Sequence, residues 1–229
     1  MRLLDNNTQA FLALMRAGLW EREVQLSEFP NVDYNEVYRL AEEQSVLGLV
    51  AAGLEHVPDV KVPQDVALTF VCYALQLEQR NTAMNQFLSV LCENIYQTGL
   101  SPILIKGQGI AQCYERPLWR ASGDIDLLFS IQQYEKAKEV LAIYSTTPPQ
   151  ENLETYECCF TIQNWVVEIH GSLHCLITQQ MDRLLGFIQE QACSKKNFRI
   201  WKNGSSDIVL PSIDAFLCCI TFVAQLLSL

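Results

Sequence analysis

Two aspartates separated by a single residue, Asp124 and Asp126 in the run GDIDLLF, are the side chains best placed to do chemistry in this sequence. Along an extended strand, positions two apart point to the same face, so Ile125 and Leu127 point away from them. Two carboxylates facing one spot repel each other unless a cation neutralises them. Mg²⁺ suits such a pair because it takes hard oxygen ligands in a compact octahedron. A competing reading makes Asp124 the N-cap of a helix starting at Ile125. Ser130 and Gln133 argue against it, because they have the form of a capping box and Tyr134, Ala137, Val140, Leu141 and Tyr144 follow at helical spacing. The helix is therefore expected after Ser130, and residues 124–129 are left extended.

Upstream, the apolar run Ile103, Leu104 and Ile105 leads into Lys106, Gly107, Gln108 and Gly109, and a helical stretch is expected over residues 110–114. Glycines after a strand let the backbone approach an anion, the N–H groups of the new helix point at it, and Lys106 adds a point charge. Such a turn alone is commonly a plain strand-to-helix connection. Followed by the acidic strand, with Arg116 and Arg120 between, it suggests a triphosphate held beside its metals. The nucleotide-binding candidates are Lys106, Gly107, Gln108, Gly109, Arg120 and Gly123.

The combination of Ile105-Lys106-Gly107, a helix carrying Tyr114, the arginine at Arg120 and GDIDLLF resembles the polymerase-β-like nucleotidyltransferases. It is most similar to a large bacterial group of uncharacterised nucleotidyltransferases with a similar KG turn and DIDLL strand. The likeness runs over residues 11–210 and is specific around 104–129 and 165–173. The resemblance implies a third carboxylate from a later strand, and Glu168 in NWVVEIHGSLH matches it. Alternation places Val166, Glu168 and His170 on one face of that strand and Trp165, Val167 and Ile169 on the other. Asp124, Asp126 and Glu168 are then the implied catalytic and metal-holding set, with two Mg²⁺ ions and an NTP as donor. The family's glycine-glycine or glycine-serine turn is here Gly107-Gln108, so a serine hydroxyl contact to phosphate is not carried over.

Glu168, His170 and His174 lie close enough in sequence to suggest zinc. His170 sits in a strand, however, and Gly171-Ser172 breaks the geometry before His174, which leaves His170 as a candidate for the wall of the site.

The elements that must carry these residues can be read in chain order. Residues 7–19 form an amphipathic helix, and Asp33 caps a second one that runs toward Gly48 or Gly53. Residues 64–98 contain neither proline nor glycine and keep helical apolar spacing, which predicts one long helix, or two with a kink, ending at Gly99. With two apolar sides it is expected between the helical N-terminal layer and the sheet. After the helix at 131–144, STTPPQENLE reads as a loop. Residues 155–162 and 165–171 read as two strands joined at Gln163-Asn164. A helix at 178–190 follows, then a hairpin turning at Asn203-Gly204. The basic residues Lys195, Lys196, Arg199 and Lys202 near that hairpin could touch an acidic acceptor or RNA, but an edge strand guarded by lysines is the preferred reading. A last helix starts at Pro211, and its apolar stretch from Ala215 is too short to span a membrane. The chain ends there in apolar residues without a cap, which suggests a truncated relative of its group.

Composition limits the alternatives. With 229 residues, 49% hydrophobic and 18% charged, the chain has the profile of a well-buried globular protein. A net charge of -10 argues against gripping duplex nucleic acid over a broad face, which needs clustered lysine and arginine. Nine cysteines without any CxxC spell neither a disulfide framework nor a zinc ribbon, and the N-terminus lacks the features of a signal peptide. A cytoplasmic protein with reduced thiols and no membrane partner is expected.

The expected fold is α/β in the α+β sense: a helical N-terminal region over residues 1–99, a nucleotidyltransferase core with a small mixed sheet over 100–210, and the C-terminal helix over 211–229. The expected reaction moves a nucleoside monophosphate from an NTP to an acceptor hydroxyl, the acceptor being a protein, an RNA or a small molecule. Two rival readings are a catalytically inactive nucleotide-binding or protein-interaction module of the same fold, and a metal-dependent phosphohydrolase.

Overall fold

The computed structural model describes residues 4–173, 183, 185–187, 189–190 and 198–211. His174, Lys195, Lys196, the start of the helix expected at 178–190 and the C-terminal helix beyond Pro211 lie outside them. Residues 183, 185–187, 189 and 190 are helical. The chain is a mixed α+β protein that divides into two compact units. The first comprises Met1–Ala83 with Ala111–Ser122, and the second Met84–Ile110 with Gly123–Leu229.

The first unit is helical. Helix α1 (Asn6–Trp20) is capped by Asp5, whose carboxylate accepts from the Thr8 N–H at 2.9 Å. The single second helix expected from Asp33 is two helices, α2 (Tyr34–Glu43) and α3 (Leu47–Leu54). Ser45 takes φ 55°, and the Ser45 and Val46 N–H groups return to the Glu42 and Ala41 carbonyls. This is a Schellman closure with serine where glycine is usual, and it ends α2 early. Gly48 and Gly53 do not stop the helix; they lie inside α3. A Cβ on Gly53 would stand 2.0 Å from the Leu14 carbonyl oxygen, and one on Gly18 1.9 Å from that of Leu49, so α1 and α3 touch backbone to backbone. Phe11, Leu14, Val37, Leu47, Val50 and Phe70 centre this unit's core.

Helix α4 (Gln64–Gln97) is one unbroken helix of 34 residues, followed by Gly99 at φ 79°. Residues 64–83 count with the first unit and 84–97 with the second.

The second unit is built on a five-stranded sheet of order β1-β2-β5-β4-β3. Its strands are β1 (Ile103–Leu104), β2 (Ile125–Leu128), β3 (Gln150–Asn152), β4 (Glu157–Ile162) and β5 (Trp165–His170). Only β2 and β5 run parallel, in a register that pairs Asp126 with Glu168 and Leu128 with His170. The β4–β5 hairpin turns at Gln163-Asn164, with Gln163 at φ 54°. Strand β3 lies within the stretch expected to be a loop. All three of its residues are exposed, so it has no apolar pattern to announce it and exists through pairing with β4.

Between β1 and β2, α5 is a single turn (Gln108–Ala111), earlier and shorter than the helix expected at 110–114. Helix α6 (Ile131–Ala142) begins after Ser130 as expected. Ser130 makes no side-chain cap bond, however, and the first turn is closed instead by Gln133 and Tyr134 N–H groups on the Ser130 carbonyl. A separate hairpin, β6 (Arg199–Asn203) and β7 (Ser206–Leu210), turns one residue later than expected, with Gly204 at φ 61°. It is held to α4 by Ser89 Oγ donating to the Asn203 carbonyl and Ser206 Oγ donating to that of Ser89.

Apolar residues of β2, β4 and β5 form one core with Met84, Leu88, Leu91 and Ile95 of α4, Tyr134, Ala137 and Leu141 of α6, and Ile208 and Leu210 of β7. The opposite face of the sheet carries Asp126, Glu168 and His170 alongside the buried Leu128 and Ile103.

Candidate metal and nucleotide site

Strand β2 carries Ile125 and Leu127 into the core, which turns Asp126 to the other face. Beside it, parallel pairing brings Glu168 level with Asp126, and two residues further along β5 His170 returns to that same face. One donor atom from each of Asp126, Glu168 and His170 lies within 4.8 Å of the others. Asp124, just before β2, is not in this group. It is half-buried, and its charge acts on both Glu168 and Lys106.

On the β1 side, the Ile105 N–H donates to the Asp126 carbonyl at 3.1 Å. This extension of the strand pairing sets Lys106 over the aspartate, and its ammonium donates to Asp126 Oδ1 at 2.6 Å. His170 Nε2 lies 3.1 Å from the same oxygen. The other oxygen, Oδ2, is buried and has no hydrogen-bond partner. Asp126 is fully buried, and a buried carboxylate oxygen without a donor is costly unless something else fills it.

The electrostatics of the two carboxylates diverge. Burial alone would push the Asp126 carboxyl up, but the His170 hydrogen bond and the Lys106 charge outweigh it and hold the group below its ordinary range. Glu168 is pushed up, first by burial and then by Asp126, Asp124 and Glu157, with only His170 opposing. On the Lys106 side, burial works against the ammonium, yet Asp126, Glu168 and Asp124 together raise its pKa. Two residues that sequence reasoning passed over share this face: Glu157, paired with His170, and Cys159, paired with Glu168. Burial and then Glu168 push the Cys159 thiol up. Their signal in the sequence was the alternation of Glu157, Cys159 and Thr161 with Cys158, Phe160 and Ile162 along β4.

The turn after β1 has the backbone of a tight bend, with Gly107 at φ 48°. Gly109 uses its N–H within the turn, donating to the Lys106 carbonyl at 2.9 Å. Gln108 turns its side chain into the interior, where Nε2 lies 3.2 Å from Met84 Sδ. Gly123 is exposed, and a Cβ there would meet nothing within 4 Å. Arg120 belongs to the first unit, where its guanidinium donates to the Ala121 carbonyl and to Ser122 Oγ. Arg116, in the same unit, pairs with Glu21 and Glu55.

The donor set suits a hard or borderline divalent cation: two carboxylates and one imidazole, one of the carboxylates with its Oδ2 buried and without a partner. An acidic cluster of this kind on a small mixed sheet, with a lysine-bearing glycine turn beside it, could hold a divalent metal ion. The family comparison is more specific. Residues 30–218, well over half the chain, match the family described as uncharacterised nucleotidyltransferase, and the chain belongs to that family. Among solved structures, a nucleotidyltransferase candidate from Thermotoga maritima is similar over 62% of this chain and 88% of its own, with 12% identity and a TM-score of 0.47. No curated protein matches the chain. No helix among the described residues is long and apolar enough to cross a membrane.

Proposed function

We propose that the protein transfers a nucleoside monophosphate from an NTP to an acceptor hydroxyl, releasing pyrophosphate, in a Mg²⁺- or Mn²⁺-dependent cytoplasmic reaction. The observation that carries this reading is the buried, partnerless Asp126 Oδ2 within the Asp126, Glu168 and His170 cluster of a nucleotidyltransferase-family chain. Asp126 and Glu168 would hold the ions, with Asp124 completing a second position and His170 either contributing nitrogen or steadying Asp126. Two bound divalent ions would polarise the α-phosphate and neutralise charge that develops on the leaving pyrophosphate.

The remaining roles fall to the chain's own residues. Lys106 is half-exposed at the mouth of the turn and can meet a phosphate oxygen. Gly123, exposed and with no side chain in the way, would allow the triphosphate to approach closely. Glu168, beside the position the ions would take, would accept the proton of the acceptor hydroxyl. Holding both reactants in line supplies most of the acceleration in such a transfer.

Calorimetric binding of each common NTP, with and without Mg²⁺, to the wild type and to Asp126→Asn and Asp124→Asn tests this. Metal-dependent binding that Asp126→Asn abolishes supports the reading. If no NTP binds, or Asp126→Asn binds as the wild type does, the reading fails.

A further inference from the structure

The two oxygens of Asp126 are in opposite situations. Oδ1 accepts from Lys106 at 2.6 Å and faces His170 at 3.1 Å, while Oδ2 has no partner. The aspartate side chain has no solvent exposure, whereas 54% of the Lys106 side chain is exposed. The ammonium therefore reaches a buried anion from the open side of the site, on a side chain about half exposed. Moving it away leaves no hole in the core.

A divalent ion taken up by Asp126, Glu168 and His170 would stand within a few ångströms of that ammonium, because Lys106 already touches one of the three donors. Like charges that close repel strongly unless one of them moves. A triphosphate offers the ammonium several anionic oxygens just outside.

We propose that Lys106 is a displaceable stand-in cation: in the nucleotide-free protein its ammonium neutralises Asp126, and a triphosphate draws it off so that metal and nucleotide enter together. The proposal rests on the reading of this site as the seat of both. It makes the two ligands mutually dependent, since any factor by which triphosphate improves metal affinity must equally improve its own binding when metal is present. It also explains why a carboxylate that needs a cation is left with one oxygen satisfied and one free. The ammonium serves Oδ1 and leaves Oδ2 without a donor.

Mn²⁺ binding to the nucleotide-free protein, measured by calorimetry on the wild type, Lys106→Met, Lys106→Arg and Asp126→Asn, tests the idea without any turnover. Lys106→Met should bind Mn²⁺ about tenfold tighter than the wild type or better, since it removes the competing charge. Lys106→Arg should stay close to the wild type, and Asp126→Asn should bind weakest. With inorganic triphosphate premixed with Mn²⁺, the order of wild type and Lys106→Met should reverse. Equal or weaker Mn²⁺ binding by Lys106→Met, or a gain by Lys106→Arg as large as that of Lys106→Met, overturns the stand-in role. If Asp126→Asn still lowers binding in that case, the metal seat itself stands. Absence of Mn²⁺ binding by all four proteins, with or without triphosphate, overturns both.

Discussion

Glu168 and Asp126 sit side by side, yet the fold treats their charges in opposite ways, and the sign can be measured. The folded-state pKa of Glu168 lies above its ordinary 4.5 because burial and three neighbouring carboxylates disfavour ionisation. Its contribution to stability is therefore present below pH 4.5 and is lost as pH rises through the folded value. Asp126 is held below its ordinary 3.8, so it stabilises the fold above that pH, and the contribution is lost as pH falls through its folded value. In metal-free protein at neutral pH, Glu168→Gln should raise Tm by roughly 2 °C, and the gain should vanish near pH 4. Asp126→Asn should lower stability by about 1–2 kcal/mol at neutral pH, having removed a charge-assisted acceptor. Thermal melts at the two pH values check both, and a Tm for Glu168→Gln at or below wild type at neutral pH would contradict the electrostatic account. On the proposed function both variants should lose metal-dependent transfer, and at Glu168 alone that loss would accompany a gain in stability.

Between α1 and α3 the contact is made by backbone, and the glycines that permit it have no substitute. The Leu14 carbonyl, 2.0 Å from a Cβ built on Gly53, cannot move without moving α1. Gly53→Ala should destabilise the protein by about 3 kcal/mol in urea unfolding followed by circular dichroism. Gly171→Ala would press on the Tyr134 ring at 2.7 Å, where α6 meets the end of β5. It should cost less, about 1–2 kcal/mol, because a ring can tilt. These elements also show what sequence can and cannot reveal. The apolar period of α1, α4 and α6 is local, so their existence could be read directly. Gly48 and Gly53 looked like helix stops because sequence does not say what a glycine faces, and the stop is made at Ser45, a residue with no outward sign of it. Lys106 and Asp126 could be picked out from residue type and spacing, and Glu168 from resemblance. The bond between His170 and Asp126 could not, because it depends on the parallel register of β2 and β5, which joins segments far apart in sequence. The inward turn of Gln108 was hidden for the same reason: its partner, Met84, lies on α4.

At the scale of the molecule, the described residues form two apolar cores, one in each unit, and the candidate cluster of Asp126, Glu168 and His170 belongs to the second. Ligand binding stabilises whatever must be folded for the ligand to bind, by about 2.7 kcal/mol at a concentration one hundred times Kd. If the units open independently, that stabilisation should be confined to one of them. Hydrogen exchange with and without Mn²⁺ and triphosphate should then show slower exchange in β2, β5 and residues 106–109, and in the 84–97 part of α4, which shares their core. Amides of α1, α2 and α3 should exchange at unchanged rates. Equal slowing in those three helices would mean that the two cores open as one cooperative body, and the helical unit would then have to be counted among the elements that ligand binding supports.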